Sequence, residues 1–214
     1  MLAAGARRVV AIERDPRCLA ALRELAAAYP ERLEPVAGDA LRLNPAELSD
    51  APRKIVANLP YNIGTLLLLR WLERIHDYES LTLMFQREVA ERLTAAPRSK
   101  SYGRLSVLVQ WLAEVQILFE IPSRAFSPAP KVTSSVVSIL PRAEPLAPAR
   151  MLALERVTAA AFGQRRKMLR TSLKPLGISM DALLTPAQIV PTARAEDLTV
   201  EQFCALVRAA NPHL

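Results

Sequence analysis

Strand patterns and helix patterns alternate along residues 1–141, and this order restricts the possible folds strongly. The strand patterns are short and rich in β-branched residues, and several of them end in a polar residue. We predict six strands, in the stretches RVVAI, RLEPVA, RKIVAN, SLTLMFQ, QILFEIP and KVTSSVVSILP. Alternation of this kind predicts an α/β layered fold with a largely parallel sheet.

The composition changes after the last predicted strand. Residues 141–150 contain three prolines and are typical of a linker. No strand pattern follows them, and the final helix is predicted to begin at Thr199, because Thr199 and Gln202 can form a capping box. We therefore predict an α/β domain over residues 1–147 and a small helical domain over residues 148–214.

The chain is strongly basic. Its 214 residues include 28 Lys and Arg against 21 Asp and Glu, which gives a net charge of +7 and a pI near 9.9. This balance favours a polyanionic partner, with nucleic acid first and a membrane surface second, over a merely soluble basic protein.

Cysteine and histidine are too sparse for a disulfide framework or a metal cluster. Cys18 and Cys204 lie far apart, and the two histidines are His76 and His213. No apolar run reaches the roughly 18 residues of a transmembrane helix, and the N-terminus lacks the apolar core of a signal peptide. We expect no metal and a cytoplasmic location.

Three polar residues, Glu13, Asp39 and Asn58, directly follow predicted strands. In open α/β sheets, ligands bind beyond the carboxyl ends of the strands. A carboxylate such as Glu13 can accept hydrogen bonds from both hydroxyls of a ribose, and Asp39, which follows Gly38, can accept one from an adenine amino group. The alternative is that both acids only stabilise helix N-termini.

The stretch ANLPYNIGT, residues 57–65, places an amide, a proline and an aromatic ring at the end of a strand. The amino nitrogen of adenine is a poor nucleophile, because its lone pair is delocalised into the ring. Two neutral acceptors, the Asn58 side-chain oxygen and the Pro60 carbonyl, can bond its two hydrogens and draw the nitrogen toward tetrahedral geometry. The Tyr61 ring can stack on the base. A purely structural turn is the alternative.

The stretch FSPAPKV supplies a second candidate ring. Its prolines predict a stiff loop that holds Phe126 toward solvent, and a Phe buried in the core is an equal alternative. Lys131 can bind a phosphate or be only a solvated surface charge.

Residues 148–174 carry seven Lys or Arg and a single acid. On one continuous helix, three of these cations at four-residue spacing form a stripe. Like charges at that spacing repel, which favours contact with an RNA backbone over a solvated face. Residues 97–104 add three positive charges and predict a second, mobile contact. The candidate RNA contacts are Arg165, Arg166, Lys167, Arg170, Lys174 and, from the proline-rich loop, Lys131.

Several motifs occur in the order found in one known family. They are VVAIERD, GDALRL, ANLPYNIGT, MFQREVAERL, YGRLSVLVQ, FSPAPKVTSSVV and AFGQRRKMLRTSL. With them the sequence resembles the S-adenosylmethionine-dependent ribosomal RNA adenine dimethyltransferases, from about residue 2 to the C-terminus. The resemblance implies a Rossmann-like methyltransferase sheet and a small C-terminal helical domain that binds rRNA.

The resemblance also implies roles for the cofactor residues. Glu13 holds the ribose of S-adenosyl-L-methionine, and Asp39 holds its adenine, with Ala40 beside it. Asn58 lies between the methyl donor and the target amine.

The implied substrate is two adjacent adenines in a 3'-terminal hairpin loop of small-subunit rRNA. Each adenine receives two methyl groups on its exocyclic amine, while Tyr61 and Phe126 sandwich the base. The implied partner is the precursor of the small ribosomal subunit, bound by a monomer.

The sequence departs from the family at its start. A glycine-rich cofactor loop follows the first strand of the family, and here Met1 falls after that loop. The segment LAAGA is typical of the end of the following helix, with Gly5 as its C-cap. The missing strand lies between those that end at Glu13 and Asn58, so both should keep an unpaired edge. We expect an N-terminally truncated chain that binds S-adenosylmethionine weakly or not at all.

Two alternatives stay open at this point. A macrolide-resistance dimethylase would act on large-subunit rRNA, but the FSPAP loop and the Arg165–Lys167 run argue against it. A non-catalytic rRNA-binding assembly factor would use the basic residues and need no cofactor.

Overall fold

The computed structural model describes residues 1–210, so His213 lies outside the described part of the chain. The chain divides into two compact units, Met1–Arg53 and Lys54–Leu214. This boundary differs from the predicted division near residue 147 into an α/β domain and a helical domain, which stays a prediction.

The first unit contains a two-stranded parallel sheet and one helix. The elements are β1 (Val9–Glu13), α1 (Pro16–Ala28) and β2 (Leu33–Ala37). Helix α1 begins where the sequence favours it, because the Asp15 side chain accepts a hydrogen bond from the Arg17 amide and Pro16 follows at the first position. A short 3-10 helix, Leu2–Ala4, ends at Gly5 with φ 93°, as the predicted C-cap requires.

The second unit contains a four-stranded sheet in the order β3-β4-β6-β5. Its strands are β3 (Lys54–Asn58), β4 (Ser80–Gln86), β5 (Ala113–Ile121) and β6 (Ser134–Pro141). Strands β3 and β4 are parallel, but β6 is antiparallel to both β4 and β5. The prediction of a largely parallel sheet is therefore wrong here, because β5 and β6 are joined by a loop rather than by a crossover helix.

Strands β1 and β3 are among the four edge strands within residues 1–210, together with β2 and β5. Strand β1 pairs only with β2, and β3 pairs only with β4. This agrees with the expectation that the strands ending at Glu13 and Asn58 each keep a free edge. Val56, in the middle of β3, is 51% exposed.

Seven helices complete the second unit as described. They are α2 (Gly64–Leu72), α3 (Arg87–Thr94), α4 (Arg104–Leu112), α5 (Met151–Gly163), α6 (Leu169–Ser172), α7 (Met180–Leu184) and α8 (Val200–Ala210). The predicted capping box is confirmed at the start of α8. The Gln202 amide donates to the Thr199 hydroxyl at 3.3 Å, and the Thr199 amide donates to the Gln202 side chain at 2.9 Å.

The continuous helix predicted through residue 174 is wrong. Helix α5 ends at Gly163, and a turn follows before α6 begins at Leu169. Glycine weakens the helix there, and repulsion between cations four residues apart opposes its continuation. The amide of Leu169 instead donates to the Ala193 carbonyl at 2.8 Å. The predicted stripe of cations therefore does not lie on one helix.

The proline-rich segment after β6 is bound to the helices beside it. The indole nitrogen of Trp111 donates to the Ala147 carbonyl at 2.7 Å, and Arg208 donates to the Pro148 carbonyl at 2.9 Å. The core between α4, α5 and α8 includes the ring of Phe162, which lies 6.0 Å from Tyr102 and 5.5 Å from Phe203 between centroids. These contacts explain why residues on both sides of 147 belong to one compact unit.

Candidate active site and nucleic-acid interface

The carboxyl ends of β1 and β2 bring Glu13 and Asp39 close to each other. The Gly38 amide donates to the Glu13 backbone carbonyl at 3.0 Å and joins the two strand ends. One oxygen of the Glu13 side chain accepts from the amides of Arg14 and Asp15, at 2.6 and 2.7 Å. These bonds fix the orientation of the carboxylate and leave its Oε2 atom available to a ligand.

Asp39 is held in a similar way. Its Oδ1 atom accepts from the Leu41 amide at 2.9 Å, and its Oδ2 atom lies 3.6 Å from Nη1 of the exposed Arg14. Ala40, predicted to lie beside the cofactor adenine, is half-buried in the same turn. The turn is tight, because a Cβ on Gly38 would lie 2.5 Å from the Leu43 side chain.

For Glu13, the alternative role of stabilising a helix N-terminus belongs to a neighbouring residue. Asp15, not Glu13, caps α1, and the hydrogen bonds from Arg17 hold the pKa of Asp15 below its ordinary value. Sequence reasoning missed both Asp15 and Arg14. An Asp before a proline at a helix start was the available signal.

The Asn58–Tyr61 corner lies where β3 passes into α2. Asn58 ends the strand and is exposed, and its side chain has no hydrogen-bond partner among residues 1–210. A neutral acceptor is thus free at the strand end. Leu59 is buried and anchors the corner in the core.

The Pro60 carbonyl has a different environment from the one predicted. It already accepts hydrogen bonds from the amides of Ile63 and Gly64, at 3.1 and 3.0 Å. A carbonyl oxygen has two lone pairs, so an adenine amine would compete with the turn that starts α2. The structure supports Asn58 as the acceptor more strongly than Pro60.

Tyr61 is oriented by a residue that sequence reasoning missed. Its hydroxyl lies 2.6 Å from the hydroxyl of Ser134, which is fully buried at the start of β6. The Tyr61 side chain is 37% exposed. No local signal could identify Ser134, because it lies 73 positions further along the chain.

Gly64 lets α2 approach the sheet closely. An added Cβ would lie 3.2 Å from the Phe85 ring and 3.4 Å from Leu59. The start of α2 therefore packs on the end of β4, and this contact supports the corner from behind.

The proline-rich loop places Phe126 directly after a 3-10 helix, Ser123–Ala125. Phe126 is half-buried, and Lys131 is exposed. The ring contacts described in residues 1–210 do not join Phe126 to Tyr61. The predicted sandwich stays a prediction.

Five of the six predicted RNA contacts are exposed and have no ion pair among the described residues: Lys131, Arg166, Lys167, Arg170 and Lys174. Arg165 differs. Its Nε atom lies 3.0 Å from Glu196, and its Nη2 atom donates to the Ser99 carbonyl at 3.3 Å. In residues 97–104, the Arg98 amide donates to the Glu196 carbonyl at 2.7 Å, and the predicted mobile contact with RNA stays a prediction.

Two further classes of site have no support in the described residues. No group of His, Cys, Asp and Glu there could hold a metal ion. None of the helices within residues 1–210 has the length and apolar character needed to cross a membrane.

Comparison with solved structures gives the class of the fold, the Rossmann-like methyltransferases that use S-adenosyl-L-methionine. A crystal structure of a dimethyladenosine transferase from Plasmodium falciparum has the same fold, with a TM-score of 0.80 over 96% of this chain and 82% of that one, at 22% identity. The 23S rRNA methyltransferase ErmE gives a TM-score of 0.71 over 97% of this chain and 84% of its own, at 28% identity.

The family follows from the sequence match. The model of the family described as ribosomal RNA adenine dimethylase matches residues 1–211. A ribosomal RNA small subunit methyltransferase A from Paramagnetospirillum magneticum is 63% identical over 99% of this chain and 75% of its own length. The protein of that name from Rhodospirillum rubrum is 59% identical over 99% of this chain and 73% of its own. The chain belongs to the ribosomal RNA adenine dimethylase family.

Membership confirms four predictions. The protein is a methyltransferase, its cofactor is S-adenosyl-L-methionine, its substrate is rRNA, and the reaction is adenine dimethylation. The non-catalytic assembly factor is not favoured.

Proposed function

We propose that this protein dimethylates two adjacent adenines in a 3'-terminal hairpin loop of small-subunit rRNA during assembly of the subunit. Support for the subunit comes from the printed names of relatives at 63% and 59% identity. The observation that carries the chemistry is the free Asn58 amide at the end of β3, beside the oriented ring of Tyr61.

Asn58 activates the target amine in this proposal. Its side-chain oxygen accepts a hydrogen bond from the exocyclic amine, and the bond favours a nitrogen lone pair directed out of the base plane. An amide oxygen is neutral and does not remove the proton, so the proton that the amine loses on methylation goes to solvent. A neutral acceptor suits two successive transfers, because it can accept from the amine again after the first methyl group is added.

Tyr61 holds the base flat against its ring, and Phe126 covers the opposite face. Stacking contributes on the order of 1–3 kcal/mol per base in single-strand recognition. The bond to Ser134 fixes the position of the Tyr61 hydroxyl, so the ring is ordered before the base arrives.

Three of the proposed cofactor residues, Glu13, Asp39 and Ala40, lie in the first unit, and the fourth, Asn58, lies in the second. Oε2 of Glu13 is available for the ribose hydroxyls, and the Asp39–Ala40 turn is proposed to contact the adenine. Gly38 fits this assignment, because its missing side chain keeps the turn compact. S-Adenosyl-L-methionine supplies the methyl group on a sulfonium centre.

The RNA is bound by exposed cations, with Arg166, Lys167, Arg170, Lys174 and Lys131 as proposed phosphate contacts. We also propose that the protein acts as a cytoplasmic monomer. The basic composition supports an RNA partner and does not decide the oligomeric state.

The substrate is tested by incubating the protein and labelled cofactor with undermethylated small subunits and, separately, with large-subunit rRNA. We expect label in two adjacent adenines of the small-subunit RNA, identified as dimethyladenosine by mass spectrometry. Label that appears only in the large-subunit RNA would overturn the proposal and favour the activity named for ErmE.

A further inference from the structure

Gln86 is a polar side chain at the carboxyl end of β4, next to the Asn58–Tyr61 corner. We propose that Gln86 is a specificity-determining residue for the target base. Its side-chain amide donates a hydrogen bond to a ring nitrogen of adenine that flanks the exocyclic amine, either N1 or N7. The proposal rests on the proposed function, because it assumes that the base stacks on Tyr61 with its amine at Asn58.

The register of the sheet brings Gln86 to the corner. Gln86 lies directly opposite Ser134 in the antiparallel pair of β4 and β6, so the two side chains share one face of the sheet. In the parallel pair of β3 and β4, Asn58 lies beside Met84, and alternation along the strand puts Met84 on the same face as Gln86. Asn58, Gln86 and Ser134 therefore share one face at one end of the sheet.

The hydrogen bond between Tyr61 and Ser134 spans the end of β4. Strand β4 lies between β3 and β6, and neighbouring strands are about 4.8 Å apart. Tyr61 follows β3 and Ser134 begins β6, yet their hydroxyls are 2.6 Å apart. The chain from Asn58 to the Tyr61 hydroxyl therefore extends across the end of β4, where Gln86 lies. A base stacked on this ring has the Gln86 amide as a neighbour.

The Gln86 amide is available to a ligand. Gln86 occupies the N-cap position of α3, but its side chain makes no capping hydrogen bond. The side chain is half-buried and has no hydrogen-bond partner among residues 1–210. Gln110 contrasts with it, because its amide donates to the carbonyls of Leu93 and Ala95, both at 2.9 Å. The fold therefore uses the amide of Gln110 to join segments and leaves that of Gln86 free.

The main chain around Gln86 is fixed independently of any base. The amide of Arg87 donates to the Thr133 carbonyl at 3.0 Å, which joins the start of α3 to the segment before β6. On the other side of Gln86, Phe85 is buried and its ring packs against the start of α2 at Gly64. A fixed backbone that carries a free amide lowers the entropy cost of binding a base.

Two amides suit the hydrogen-bonding pattern of adenine. Adenine presents a donor, its exocyclic amine, beside an acceptor, a ring nitrogen. The Asn58 oxygen accepts from the amine, and the Gln86 NH2 group donates to the ring nitrogen. Together the two bonds fix the rotation of the base in its own plane, which stacking on Tyr61 leaves free. Methylation of the amine does not change the ring nitrogen, so the bond to Gln86 is present for both transfers.

The bond is tested with rRNA hairpins that carry 1-deazaadenine or 7-deazaadenine at the target positions, since each base lacks one of the two ring nitrogens. For Gln86→Leu on the natural hairpin we expect kcat/KM to fall by about 2- to 10-fold. One of the two deaza hairpins should show a similar loss with the wild type and no further loss with Gln86→Leu, because the variant and the analogue remove the same bond. The hairpin that shows this coupling identifies the nitrogen.

A matched control is Gln116→Leu, which removes an exposed amide from β5 of the same sheet and should methylate as the wild type does. Circular dichroism and thermal unfolding check that both variants fold. No loss in Gln86→Leu, or losses that add to those of both deaza hairpins, would overturn the proposal. Equal losses in Gln86→Leu and Gln116→Leu would also overturn it, because the effect would not be specific to the site.

The affinity for the same hairpins, measured at equilibrium, gives a second readout that does not depend on turnover. The coupling between Gln86→Leu and one deaza base should appear there in the same direction. Methylation of the natural hairpin by the wild type reports separately on the proposed function. A wild type that methylates normally, with no coupling at Gln86, would overturn this inference and leave the proposed function in place.

Discussion

The Asn58–Tyr61 corner and the surface of basic residues around the turn between α5 and α6, residues 164–168, are built in different ways. The corner is four successive residues, fixed by the turn into α2 and by one distant bond to Ser134. The surface depends on bonds between segments that lie tens of residues apart, centred on Arg165 and Glu196. We infer that methyl transfer requires accurately placed side chains, which a short stretch of chain provides. Binding of the RNA backbone tolerates less accurate placement, so its residues can come from distant segments. Variants of the corner should therefore affect the rate, and variants of the surface should affect the affinity.

Asn58→Ala should have the largest effect, and it is the sharpest test of the distinction between variants that lower the rate and variants that lower the affinity. Loss of one preorganised hydrogen-bonding group costs about 10²–10³-fold in rate in comparable sites, and RNA affinity should not change. Single-turnover methylation at saturating RNA measures the rate, and a binding titration measures the affinity. Asn62→Ala, an exposed amide in the same turn, is the matched control. Equal loss of affinity and rate in Asn58→Ala would contradict the division.

Tyr61→Ala should have the next largest effect. Loss of a stacking platform worth roughly 1–3 kcal/mol corresponds to about a 5- to 150-fold decrease in kcat/KM. Tyr61→Phe keeps the ring and should lose much less activity than Tyr61→Ala. Steady-state kinetics with the RNA hairpin compares the two variants. A similar loss in both would assign the effect to the hydroxyl rather than to the ring.

Ser134→Ala should have a smaller effect. Removing the bond that orients Tyr61 costs about 0.5–1.5 kcal/mol, or roughly a 2- to 10-fold decrease in kcat/KM. The same loss should occur in Tyr61→Phe, and the double variant should be no worse than either single one, because both remove one bond. Additive losses in the double variant would show that the two hydroxyls act independently.

The smallest expected effect concerns Cys204, whose thiol should not react with an alkylating reagent in the folded protein. Burial raises the pKa of this thiol to about 11, so it stays protonated and unreactive well above neutral pH. Alkylation of the folded protein near pH 8, followed by mass spectrometry, should modify the exposed Cys18 and leave Cys204 intact. Modification of both in the folded state would show that the packing around α8 is looser than described.

The corner was predictable from sequence because its residues are neighbours in the chain. The strand end, Asn58, Tyr61 and the capping box at Thr199 all depend on local patterns. The role of the Pro60 carbonyl was not predictable, because its partners depend on how tightly the chain turns into α2.

Long-range contacts explain the other differences. Ser134 joins its site through tertiary structure alone, and the helix break at Gly163 separates the cations that were predicted to lie on one helix. The antiparallel pairing of β6 was not predictable either, because the periodicity of residues indicates a strand but not which strand it pairs with or in which direction.

The most direct test of the central claim, that Asn58 presents a neutral acceptor to the target amine, is a crystal structure with the rRNA hairpin bound. The account predicts the exocyclic nitrogen of the target adenine within about 3.2 Å of the Asn58 side-chain oxygen, with the base against the Tyr61 ring. A target adenine bound away from Asn58 and Tyr61 would contradict it.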